Sequence, residues 1–377
     1  MNPALSPFLY FRRNPARTLP TAFVLVLAVV LIASVVTIVR SIDLTVFTLY
    51  GYNRYLVGLV PRNALTIDAA QMQKYRALPE IGALHGAHSY QAQVKTIFGK
   101  MVFPIFGLEP EARQLIMERC GVRLAAGRMP AEGAPEAAIS EEVARNLGIQ
   151  LGDILAHPDS EDSYAPVTIR LVGLFRGPVW LGLTSKSLVD ANSPFTWQGY
   201  LAFPRTPSEQ AALDAAIDRV TDKSKARAWK FSTLVRETQT ALSNLYLILN
   251  LVIGIIVTVI SFVCGLLSNI YFTQRLPEIA TLYAIGYARR RLLRRAALET
   301  ALLCLFGWVL GALLTTALLY AVRALLLTPR GLLLNPVDVT AFVFTLPLPL
   351  AVSAFAVATI ALRLKTLDPV SIIERRG

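Results

Sequence analysis

Four stretches of the chain are almost unbroken apolar runs, and the long segment between the first and second instead mixes apolar and polar positions. The runs cover residues 19–40, 244–271, 296–322 and 339–362. Each is long enough for a helix across a hydrocarbon core of about 30 Å, which takes roughly 20 residues. The pattern predicts an α-helical integral membrane protein: four transmembrane helices, with a large α+β extracytoplasmic domain (41–243) inserted between helices 1 and 2.

Within that domain the periodicity changes from place to place. QAQVKTIFG (91–99), VFPIFGLEP (102–110) and PVTIRLVGLFRG (166–177) are rich in β-branched and aromatic residues and bounded by turn formers, which predicts strands. SEEVARNLGI (140–149) has Ser140 as an N-cap, acids in its first turn and Gly148 as a stop, which predicts a short helix. PSEQAALDAAIDRV (207–220) predicts a second, amphipathic one. From Trp229 to Asn244 neither Pro nor Gly interrupts the approach to the second span, so a stalk helix is expected there. LPLPL (346–350) interrupts the fourth span.

Composition supports a membrane chain. Over 377 residues it is 54% hydrophobic and 16% charged, with a mean hydropathy of +0.50. The first run is read as a retained span and not a secretory leader, because it exceeds a typical leader's apolar core and no small-residue cleavage site follows.

The formal charge of +12 decides orientation. The 41–243 segment is nearly balanced, whereas the flank 1–18, the connection 272–295 and the tail 363–377 are strongly basic. The positive-inside bias puts these three, and both termini, in the cytoplasm, and leaves the short loop 323–338 outside. Arginines beside membrane ends are explained by topology and anionic lipid headgroups, so no nucleic-acid partner is expected. Cys264 and Cys304 fall in spans, and Cys120 stands alone outside with no intrachain disulfide partner.

The connection 272–295 carries Arg275, Arg289, Arg290, Arg291, Arg294 and Arg295 against the single acid Glu278. Pro277 fits the first helical position, Glu278 the first turn and Gly286 the stop. Ile279, Leu282 and Tyr283 fall at i, i+3 and i+4 and give one narrow apolar face. A helix this short lies along the membrane surface. It either merely joins two spans or presents that face to a groove in a cytoplasmic partner.

QRLPEIATLYAIGYARRRLLRRAALETALLCLFGWVLGALL resembles the region around the second and third spans of FtsX/MacB-like ABC transporter permeases, the type VII, four-span mechanotransmission family. There an R-x-x-E-I...L-x-A-x-G element precedes a basic helix, a Glu near the start of the third span and a glycine-rich run. The ending LKTLDPVSIIERRG and, in the outer domain, LAAGRMPAEGAPEAAISEEVARNLGIQLGD are similar to further patterns of the family. The departures are Pro277, where a charged or polar residue is usual, and the interrupted fourth span.

The resemblance implies a bacterial inner-membrane permease subunit that pairs with a separate cytoplasmic ABC ATPase and a second permease copy or paralogue, and relays ATP-driven motion to its outer domains. The cargo would be hydrophobic or envelope-associated, with a periplasmic adaptor as a further partner alongside membrane lipid. Glu278, Ile279, Leu282 and Gly286 match the family's coupling-helix positions, with Pro277 and Tyr283 completing the ATPase-coupling set. No G-x-x-x-x-G-K-[ST] phosphate loop occurs, so the chain is expected to be no enzyme; no cofactor is expected in it, with ATP and Mg in the partner ATPase. The alternative is an FtsX-like regulator that activates an extracytoplasmic cell-wall hydrolase without transport; a four-span scaffold without ATPase is a third reading.

Gly307 and Gly311 in span three have a spacing that allows close helix approach, either within the chain or in a dimer contact. Glu299 would bond a neighbouring helix or pair with Arg295, with a relay role as its alternative, and Asn250 in span two would bond another helix sooner than a substrate. Trp180, Phe195 and Trp197 are read either as core or as a cargo or adaptor contact. His85 and His88 lack companions with metal-ligand spacing, and no catalytic motif is found, so neither a metal nor a catalytic site is expected.

Overall fold

The computed structural model describes residues 15–97, 99–193, 198–274 and 288–365. Four helical segments in it are long and apolar enough to cross a membrane: Thr18–Leu49, Phe231–Leu267, Leu293–Arg330 and Val339–Leu362. An α+β sheet domain lies in the chain between the first and the second, as the hydropathy pattern predicts. The molecule divides into two units. One holds the spans; the other holds residues 40–243 together with 323–334.

The sheet domain begins where helix α1 (Pro15–Leu49) ends. Its elements are β1 (Val57–Pro61), α2 (Ala69–Arg76), β2 (Ile81–Thr96), β3 (Gly99–Leu108), α3 (Pro110–Arg119), β4 (Arg123–Gly127), β5 (Glu136–Ser140), α4 (Glu141–Leu147), β6 (Ile154–Ala156), β7 (Ile169–Arg176), β8 (Gly182–Ser185), α5 (Lys186–Asn192), β9 (Gly199–Pro204), α6 (Gln210–Val220) and β10 (Ala226–Trp229). Among the described residues the strands form one mixed sheet in the order β10-β1-β9-β2-β3-β8-β5-β7-β4, with β6 beside β7. The long hairpin β2/β3 pairs from His88↔Gly107 to Thr96↔Gly99.

Side chains alternate between sheet faces, and so do the cores. On one face of β2 and β3, Tyr90, Ala92, Val94, Phe103 and Ile105 pack with residues of α4 and α5. Val57, Leu59 and Ala202 meet Tyr75 of α2 and Leu213 and Ile217 of α6. Leu201 and Phe203 belong to a third cluster with Ala112 and Ile116 of α3.

The helix predicted from SEEVARNLGI runs Glu141–Leu147 and stops on Gly148 at φ 74°. Ser140 is its N-cap by position, but its hydroxyl accepts from the Leu181 amide at 2.8 Å instead of capping the helix.

In the span unit, α7 (Phe231–Gln274) is continuous over 44 residues and α8 runs Arg289–Val322. The LPLPL interruption divides the last span into α9 (Val339–Thr345) and α10 (Pro347–Lys365). Proline has no amide hydrogen, and its ring clashes with the carbonyl four residues back. Trp308 Nε1 on α8 donates to Thr345 Oγ1 at 2.8 Å beside this break. The unit's core gathers Leu25, Val29 and Ile32 of α1 with Ile253, Cys264, Cys304 and Val352.

Candidate functional site

The coupling residues Pro277, Glu278, Ile279, Leu282, Tyr283 and Gly286 lie outside the described residues, as do Phe195 and Trp197. The helices on either side of the connection are described, ending at Gln274 and resuming at Arg289.

Gly307 and Gly311 are one turn apart on α8 and face α1. A Cβ on Gly307 would lie 3.1 Å from Leu25 Cβ, and one on Gly311 would lie 2.8 Å from Val29 Cβ. Only hydrogen at these two positions lets the helices approach this closely, so the glycine pair packs within the chain. Glu299, one helical turn after Arg295, is buried and accepts from Arg295 Nε at 3.0 Å, the pairing its spacing allowed. A carboxylate so placed lies against a guanidinium and not against hydrocarbon. Asn250 is exposed on α7 and so does not fill the helix-bonding role within this chain.

Of the two readings of Trp180, the structure shows the core one and not the cargo or adaptor contact. Its side chain is 2% exposed in the core formed with β2, β3 and β7, and its amide donates to Thr48 O at 3.0 Å. A ring so enclosed offers no surface to cargo or adaptor. The sequence signal, an aromatic between Pro and Leu-Gly, served equally well for a buried ring.

Of the weighed histidines, His88 Nδ1 lies 2.8 Å from Asp190 Oδ1 of α5. Burial pushes its imidazole below the usual histidine range, outweighing the pull of the aspartate. Cys120 is buried at the end of α3, and desolvation holds its thiol up at about 12, which keeps it protonated and inert.

One arrangement had no sequence signal. The connection after α8 belongs to the outer unit. It turns through Thr328–Arg330 and reaches Gly331 at φ 63°. A Cβ on Gly331 would lie 2.8 Å from the Asn146 amide nitrogen on α4. Asn146 itself accepts from Lys95 N at 2.7 Å and donates to Lys95 O at 2.8 Å and to Arg330 O at 3.3 Å. Leu333 then packs against the β2/β3 core. The connection between the third and fourth spans is thereby pinned onto the sheet domain.

Comparison with known proteins respects this division. Residues 242–369 match the family model of the FtsX-like permease C-terminal region. No curated protein sequence matches the chain. Among solved structures, the periplasmic region of MacB from Actinobacillus actinomycetemcomitans is similar at 9% identity and a TM-score of 0.31, covering 49% of this chain and 92% of that one. The extracellular domain of the noncanonical ABC-type transporter YknZ from Gram-positive bacteria is similar at 10% identity and a TM-score of 0.29, covering 47% and 99%. Similarity to the FtsX-like permease C-terminal region thus extends over residues 242–369, the stretch of this chain that holds its last three spans and the two connections between them.

Proposed function

We propose that the chain is the permease subunit of an ABC transporter, working as a dimer with a separate cytoplasmic ATPase and moving its outer domain to export or extract a hydrophobic or envelope-associated cargo. The match over 242–369 carries this reading, because it includes the arginine-rich connection along with the spans. The absence of a phosphate-loop motif from the sequence is consistent with ATP being hydrolysed on another chain. With the basic flanks in the cytoplasm, the helix that the sequence predicts there presents Ile279, Leu282 and Tyr283 to the ATPase. A short helix joined at both ends to spans passes a push into the membrane.

The test is purification from native membranes with identification of the proteins that come with the chain. An ATPase subunit is expected, and Leu282→Asp should release it or cut the ATPase activity of the complex by about tenfold, while membrane insertion is unchanged. Retention of the ATPase with full activity in the variant would remove the coupling role.

A further inference from the structure

Part of the sheet face opposite α2 and α6, beside Leu201 and Phe203 that pack in the cluster with α3, carries small residues where a covered sheet would carry large ones. Gly58, Gly199, Ala87 and Ser89 come from three strands; the register sets Ala87 opposite Gly199, and places Gly58, opposite Leu201, diagonal to Gly199 on the same face. They floor a cavity of ≈ 320 Å³. Trp229, paired with Gly58, closes one end. Phe106, whose ring meets that of Tyr52 edge-on at 5.2 Å, closes the other. Tyr50 and Leu234 complete the rim, so it is built from the residue that follows α1 and from the first turn of α7.

We propose that this trough binds one acyl chain of an anionic membrane lipid. The volume lies in the range of ligand pockets, and the lining is predominantly apolar. The strands at its floor are already paired on both sides: β1 with β9 and β10, and β9 with β1 and β2. Their backbone groups are therefore committed, and on this side of the sheet an added peptide strand could pair only along the outer edge of β10, not over the floor. A hydrocarbon chain needs no such partners.

An arginine next in the chain to the lining residues selects the headgroup. Arg54 is exposed, follows the lining residue Asn53, and stacks over Phe231 with its guanidinium carbon 4.4 Å from the ring centroid. Arg227 stacks over Trp229 at 3.9 Å but is balanced by Glu237. Arg54 is then the cation placed for an anionic headgroup.

The proposal deepens the transport reading by giving the outer domain a lipid site, and its test needs no nucleotide. The purified full chain in nanodiscs is irradiated with a 16-carbon fatty acid bearing a terminal diazirine, and in parallel with its uncharged methyl ester, and adducts are mapped by mass spectrometry. Adducts are expected on the peptides holding 57–61 and 199–204, besides those on the spans. A Cβ at Gly58 makes only an ordinary 3.5 Å contact with Trp229 Cβ, so Gly58→Leu fills the trough without disturbing the backbone.

Gly58→Leu should lower outer-domain adducts about tenfold and leave span adducts unchanged. Ser89→Phe, filling from a different strand, should do the same. Arg54→Glu should lower labelling by the acid and not by the ester. Adducts confined to the spans, outer adducts indifferent to both filling variants, or crosslinks from this face to a second protein chain would each overturn the site. Labelling as expected in a protein that purifies without an ATPase would sink the transport reading and leave the site standing.

Discussion

At the scale of single residues, Gly331 and Asn146 decide how firmly the outer connection is held. A side chain at Gly331 meets both a left-handed backbone and the Asn146 amide. Gly331→Val is expected to cost about 1–3 kcal/mol. Asn146→Ala strips both hydrogen bonds from Lys95 and the one to Arg330, a loss of about 1–3 kcal/mol. Both variants should lower the melting temperature and speed trypsin cleavage after Arg330; unchanged cleavage would mean that the contact does not hold in solution. No sequence pattern announces this contact. The turn is legible in Thr-Pro-Arg-Gly, but a glycine that ends a turn looks the same whether or not another helix presses on it. Trp180 shows the same limit, since composition marks a ring as apolar without saying which side of the sheet it enters.

At the scale of elements, most of the architecture was legible because it rests on periodicity and length. The spans declare themselves by continuous apolarity, and α4 by its acidic first turn and its glycine stop. The spacing of the glycine pair in α8 leaves two outcomes open, and the contact with Leu25 and Val29 favours packing within the chain. Gly311→Leu should overpack this contact at a cost of about 1–3 kcal/mol. Adding Val29→Gly, which removes both the Cβ at 2.8 Å and the methyl at 3.0 Å, should restore part of the lost thermal stability in detergent. If the double variant is no better than the single, the glycine serves something other than α1. The trough on the sheet face was illegible for the opposite reason. Its floor comes from strands far apart in the chain, and only their register places the small residues together.

At the scale of the whole molecule, two helices pass from the span unit into the outer unit without a break: α1 over 35 residues and α7 over 44. An unbroken helix conserves phase as well as length, because each added residue rotates the remainder of the helix by about 100° and advances it by about 1.5 Å. Inserting one or two alanines between 236 and 243 would therefore swing the two ends of α7 out of step with each other while barely changing its hydrophobicity. Seven alanines would bring them back to within about 20°. On the proposed function, ATP-driven activity of the complex should fail with the short insertions and return in part with the long one. Recovery on that schedule would show that torque is conveyed along the helix, as along a driveshaft; indifference to phase would leave α7 as a rope that transmits tension alone.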